Sequence, residues 1–191
     1  GAFLAGDTGY GTKRTEWHNT LMVDGLGQIA RENSPFSQWA GMPYDRLDRI
    51  RLTNTWLGSL VAAGTAVLED AYPASLELST LRRHLIMVDG RFLVVLDEVS
   101  ASKAHEYTFY LHGDREPRER GRGRWISENG GARLCLQSLG NPKAAKVEPT
   151  IVETQIYPGP PRPQQRGFHL ELGATATRGP PRCSAPSRCA G

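Results

Sequence analysis

Leu85-Ile86-Met87-Val88-Asp89-Gly90-Arg91-Phe92-Leu93-Val94-Val95-Leu96 holds two aliphatic, largely β-branched runs interrupted at Asp89-Gly90. Asp and Gly tolerate the positive φ of a tight reversal, so this pattern predicts a β-hairpin with a two-residue loop. Both arms are almost wholly apolar. A run of that kind predicts strands at the centre of a sheet covered on both faces.

Working outward, Glu106–His112 alternates, with Tyr107, Phe109 and Leu111 on the side expected to face a core and Thr108, Tyr110 and His112 on a semi-polar side. Arg133–Leu139 and Val147–Ile156 read as further strands. Asn19–Asp24 is β-compatible and ends in Asp24-Gly25, a second hairpin signal. Thr53–Val67 fits strand or helix by periodicity alone, and Tyr72-Pro73 breaks the pattern, because proline cannot donate to a ladder and restricts the residue before it. Residues 29–48 carry Pro35, Pro43, Trp39 and several charges and read as a long excursion. Short strands between Gly, Pro and Asn turns, without an amphipathic helix, predict an all-β antiparallel sandwich. Pro158–Arg166 reads as a linker and Gly167–Leu172 as a short strand. The expected division is a β-domain over residues 1–172 and a tail over 173–191, disordered or out of frame, whose Gly, Pro, Arg, Ser and Cys cannot bury enough surface to offset ordering.

The chain of 191 residues is long enough for one domain with its own core. No apolar run has the length of a membrane span, and the N-terminus shows no signal-peptide pattern. Of the net charge of +3, the five arginines of residues 158–191 against Glu171 account for +4, so the remainder of the chain is close to neutral. No global field draws in a polyanion, and neither nucleic acid nor membrane is expected as a partner. Cys135, Cys183 and Cys189 lack metal-finger spacing, and Cys135 between Leu134 and Leu136 reads as a structural thiol.

Chemistry concentrates at the start, in Gly6-Asp7-Thr8-Gly9-Tyr10-Gly11-Thr12-Lys13-Arg14-Thr15-Glu16-Trp17-His18-Asn19-Thr20. Asp7 and His18 are carboxylate and imidazole donors separated by a turn-forming segment, a mixed set that zinc accepts. Two ligands do not hold a zinc. Tyr10, Lys13, Arg14 and Trp17 share the loop: Trp17 suits stacking on a sugar ring and Arg14 a charge-assisted bond to a uronate carboxylate, the alternative being a loop that only packs. His84, His105, His112 and His169 have no short mutual spacing and read as surface or packed histidines. Neighbours on a strand point to opposite faces, so neither Glu69-Asp70 nor Asp97-Glu98 forms a shared acid–base site. Arg115–Arg124 has five arginines and two glutamates with no aromatic residue between them, and reads as a solvated hairpin loop.

The opening stretch, with its Asp-x-Gly-Tyr turn, His-Asn-Thr and the Val23-Asp24-Gly25 and Gly27-Gln28 that follow, resembles the heparinase II/III family of polysaccharide lyases. Pro43–Leu47, Ala71-Tyr72-Pro73, Leu81–Ile86, Phe92–Val99 and Tyr110-Leu111-His112 follow in the order of that family's C-terminal β-domain. The resemblance covers residues 1 to 172. It implies that Asp7 and His18 are zinc ligands, with a third in a His-x-His sequence upstream of this chain. It also implies strands over Thr53–Val67, a partner α/α toroid domain at the N-terminal side, and a periplasmic or secreted protein. The implied activity is cleavage of an acidic, uronate-containing polysaccharide by β-elimination, with the proton-transfer residues outside this chain and the fragment inactive. The alternative is a non-catalytic carbohydrate-binding or structural β-sandwich module.

Overall fold

The structure is a computed structural model and describes residues 15–28, 44–121, 123–139, 144–152 and 165–176. Among the described residues eleven strands form three antiparallel sheets. The first pairs β1 (Leu21–Val23), β6 (His105–Gly113), β11 (Gln165–Ala176) and β10 (Ala144–Val152), in the order β1-β6-β11-β10. The second is β2 (Arg51–Leu57), β3 (Val61–Val67), β4 (Leu78–Val88) and β5 (Phe92–Ala101) in chain order. The third is β7 (Arg118–Glu119), β8 (Arg124–Asn129) and β9 (Ala132–Gln137). One turn of helix, α1 (Tyr44–Leu47), and three short 3-10 turns complete the described elements.

The all-β expectation holds, and its cause is visible in the turns. Asp24, Gly25, Asp89 and Gly90 all have φ between 51° and 71°, the left-handed region that Gly enters freely and Asp tolerates. Thr53–Val67, ambiguous by periodicity, is the β2–β3 hairpin, with a register shift between Thr53 and Trp56. β11 runs to Ala176, four residues past Leu172. β7 and β8 occupy part of the stretch read as a solvated loop.

The core is the contact between the first two sheets. Leu21, Val23 and Tyr107 of the first sheet meet Leu81 of the second, with Ala71, Tyr72 and Leu76 from the turns before β4, and Ile50, Leu68, Leu78, Val99 and Phe109 pack around them. Tyr72 is fully buried and donates its hydroxyl to the Leu21 carbonyl at 2.6 Å, so its one polar group stays bonded inside the core. The third sheet turns Trp125, Ser127, Leu134 and Leu136 towards Leu111, Phe168 and Leu170, around an apolar crevice of about 320 Å³ including its open mouth.

Three expectations are corrected. The hairpin at residues 85–96 has a three-residue connection, since Val88 pairs with Phe92. It is also not covered on both faces: among the described residues β5 is an edge strand, and Leu85, Met87, Phe92, Leu93, Val95 and Leu96 are between 37% and 66% exposed. The face of the second sheet that buries Leu81 continues through Arg83, Leu85 and Met87, but the first sheet reaches only its near half. An apolar run encodes a demand for burial; it does not supply the surface that meets it. Finally, Cys135 is exposed, because it faces away from the crevice that Leu134 and Leu136 line.

Candidate functional site

The loop before β1 is held as a rigid piece by groups from several elements. Thr15, buried at the start of the 3-10 turn Thr15–Trp17, accepts the His18 amide at its carbonyl (3.1 Å) and the Gln28 amide at its hydroxyl (2.8 Å). Any side chain at Gly27 would collide with the Thr15 side chain, so the Gly27-Gln28 pair is a close-approach requirement. The Thr20 amide donates to the His18 carbonyl at 2.8 Å, and the Thr20 carbonyl accepts the Tyr110 amide at 2.9 Å. Asn19 is gripped twice: its side-chain oxygen accepts the His112 amide at 2.7 Å, and its carbonyl accepts Arg83 Nη1 at 3.0 Å.

Arg83 links the layers. Its Nε and Nη2 bind Asp97 at 2.7 and 2.8 Å, a bidentate pair between facing residues of β4 and β5, and its guanidinium carbon lies 5.3 Å from the centroid of the Phe109 ring. Asp97 and Glu98 do point to opposite faces, as expected: Glu98 lies 3.5 Å from His84 on the other side, where His84 also bonds the Thr65 hydroxyl at 2.9 Å.

A second clamp closes the far end of β1. Asp24 accepts the Glu106 amide at 2.8 Å and His105 Nδ1 at 2.6 Å, while His105 Nε2 meets the Leu76 carbonyl at 2.8 Å. Both ring nitrogens of this buried histidine thus have a partner, as a buried polar side chain requires. The bond from His105, and then that from the Glu106 amide, hold the Asp24 carboxyl below its ordinary value. His105 and His112 are thus packed histidines, 2% and 1% exposed. Tyr110, whose ring stacks on His112 at 6.2 Å, has its phenol pushed up by burial first and then by the carboxylates of Glu171, Glu16 and Glu148. It is held as a neutral hydroxyl beside the loop.

Of the site residues expected from sequence, Trp17 and His18 are half-buried on this clamped loop. Asp7, Tyr10 and Arg14 lie outside the described residues. Among the described residues no three His, Cys, Asp or Glu side chains converge on a metal position. Of the expected pair of ligands, His18 alone lies among the described residues, its backbone held by the Thr15 carbonyl and the Thr20 amide. Sequence reading missed Arg83–Asp97 and Asp24–His105. Arg83 and Asp97 face each other across the β4–β5 hairpin, a pairing that depends on the exact loop length, and Asp24 and His105 are 81 positions apart.

The family model for the heparinase II/III-like C-terminal region matches residues 7–184. The chain belongs to the heparinase II/III-like family, as a C-terminal domain. No curated protein matches it. Among solved structures it is similar to the heparan sulfate lyase HepC from Pedobacter heparinus, with a TM-score of 0.59 at 12% identity over 86% of this chain and 22% of that one. A mutant of the same lyase gives a TM-score of 0.54 at 13% identity over 93% and 29%. The shared fold is that of the β-sheet region, and this chain spans under a third of the length of those structures.

Proposed function

We propose that this chain is the C-terminal β-domain of a lyase that cleaves uronate-containing acidic polysaccharides by β-elimination, and that the His18 loop borders its substrate cleft. The observation that supports this is the clamping of His18-Asn19-Thr20 by Arg83, His112 and Tyr110. These long-range bonds fix a short half-buried bend in place, and a ligand or substrate group needs a fixed position.

β-Elimination needs a neutralised uronate carboxylate, a base for the α-proton and an acid for the departing oxygen. In this reading the base and acid come from a toroid domain outside this chain, so the fragment alone is inactive. His18 and Asp7 would hold zinc with a third ligand from that preceding region; a bound zinc supplies a fixed positive charge and rigidity at the cleft. The chain's own residues position: Arg83 and Thr15 fix the loop backbone, Trp17 offers a ring for a sugar face, and Tyr10 and Arg14 complete the substrate contacts. A periplasmic or secreted location belongs to the same proposal; no described helix is long and apolar enough to cross a membrane.

The test uses the full reading frame that contains this chain, on heparin, chondroitin sulfate and alginate, following the ultraviolet absorbance of the unsaturated uronate. His18→Ala is expected to lower the rate by roughly 100-fold or more, with loss of bound zinc. A full-length protein that produces no unsaturated uronate from any of these polymers, yet still binds them, would instead support the binding-module alternative.

A further inference from the structure

We propose that the outward face of the third sheet is a second binding surface, separate from the His18 loop, for the sulfate or carboxylate groups of an acidic glycan; the ligand class rests on the lyase reading above.

The register places the charges. Trp125 pairs with Leu136 and Ser127 with Leu134, and these four line the crevice. The alternate positions therefore look outward: Arg124 opposite Gln137, Ile126 opposite Cys135, and Glu128 opposite Arg133. From β7, Arg118 joins this face opposite Ile126. Beyond β7 the pairing continues, with the Arg120 amide donating to the Arg124 carbonyl at 2.8 Å and the Arg124 amide to Gly121 at 3.0 Å. Gly121 and Gly123 have φ of 122° and 70°, and this reversal sets Arg120 against Arg124. Arg118, Arg120, Arg124 and Arg133 are all exposed.

Acids do not cancel this charge. Glu128 is taken up by Arg133 at 2.6 Å, and Glu119 stands at the register of Trp125, on the alternate side. Arg124 is steadied through Nε by Gln137 at 3.2 Å. Like charges facing across a hairpin disfavour the bare protein, and an anion between them removes that repulsion. Guanidinium groups match planar carboxylates and sulfates with paired bonds. Trp125 is 3% exposed, and among the described residues the outward positions of β7, β8 and β9 carry no aromatic ring to stack on a base, which favours a glycan over a nucleic acid.

The experiment measures binding of a heparin oligosaccharide, a single-stranded RNA of similar charge and neutral dextran to the 191-residue chain, to the R118Q/R120Q/R124Q variant and to R91Q, which removes an exposed arginine at the β4–β5 turn. Wild type and R91Q should bind heparin alike. The triple variant should bind about 30-fold more weakly, with the slope of log affinity against log salt shallower by about two to three. The three residues are exposed and the fold of the variant is checked by circular dichroism; Arg118→Gln alone, expected to weaken binding about threefold, serves if the triple variant misfolds. Unchanged heparin affinity in the variants, no heparin binding by wild type, or equal affinity for RNA would overturn the proposal. Heparin binding that depends on these arginines in a protein whose full-length form has no lyase activity would refute the lyase reading and leave this surface standing.

Discussion

Replacing Arg83 by Met should uncouple the two core sheets and loosen the His18 loop. The side chains of Arg83 and Asp97 are 12% and 16% exposed. Removing one partner of a fully buried ion pair costs about 3–5 kcal/mol, and the remaining solvent contact reduces that here to about 2 kcal/mol. The lost bond to the Asn19 carbonyl adds about 1 kcal/mol, and the contact with the Phe109 ring about 0.5 kcal/mol. A total near 3.5 kcal/mol corresponds to a fall in Tm of about 7–14 °C for a chain of this size. Urea denaturation of R83M, D97N and the double variant gives the coupling directly, and at least about 1.5 kcal/mol is expected. Amide exchange supplies the positional readout: the Thr20 amide, bonded to the His18 carbonyl, should exchange faster in R83M, while the β8–β9 pairing is unaffected. A coupling below about 0.5 kcal/mol, the range of a solvated surface pair, together with an unchanged Thr20 amide, would refute the reasoning.

Further expectations concern the other supports of the loop. Asp24 lies below the ordinary value of 3.8 in the folded chain, so its contribution is fully present above that value and lost as pH falls through the folded one. The urea midpoints of wild type and Asp24→Asn should therefore begin to converge as the pH drops below 3.8 and meet only below the lower folded value; a gap that persists at the lowest pH would contradict the assignment. Tyr72→Phe deletes the donor to the Leu21 carbonyl inside the core and should cost about 1–2 kcal/mol by chemical denaturation, with a value near zero excluding that bond as a support for β1. Gly27→Ala places a methyl group on the Thr15 side chain and should destabilise by about 1–3 kcal/mol, most visibly as faster exchange at the Gln28 amide.

Most of the fold was legible because its signals are local. Asp24-Gly25 and Asp89-Gly90 announce reversals through backbone sterics alone, and the alternation of Tyr107, Phe109 and Leu111 survives as the core-facing side of β6. The opposite side of β6 was misjudged for a physical reason: His112 is buried beside Asn19, a contact over 93 positions that no window on the sequence reveals. The candidate site was legible as a loop carrying Trp17 and His18, and its clamps were not. Arg83 looked like one of many arginines until the pairing of β4 with β5 set it opposite Asp97. The arginine-rich stretch followed the same course, since only the register of β7 and β8 turns a charge run into a face.

The far half of the second sheet has a practical consequence. Leu57, Leu85, Met87, Leu93 and Val95 stay wet beside an edge strand whose backbone amides and carbonyls can template another chain. Purified by itself, the polypeptide should therefore clump as its concentration rises and light up hydrophobic dyes while still folded. A charged residue substituted at Leu93, opposite Met87 and four positions from Asp97 on β5, should keep it in solution without breaking the Arg83–Asp97 pair.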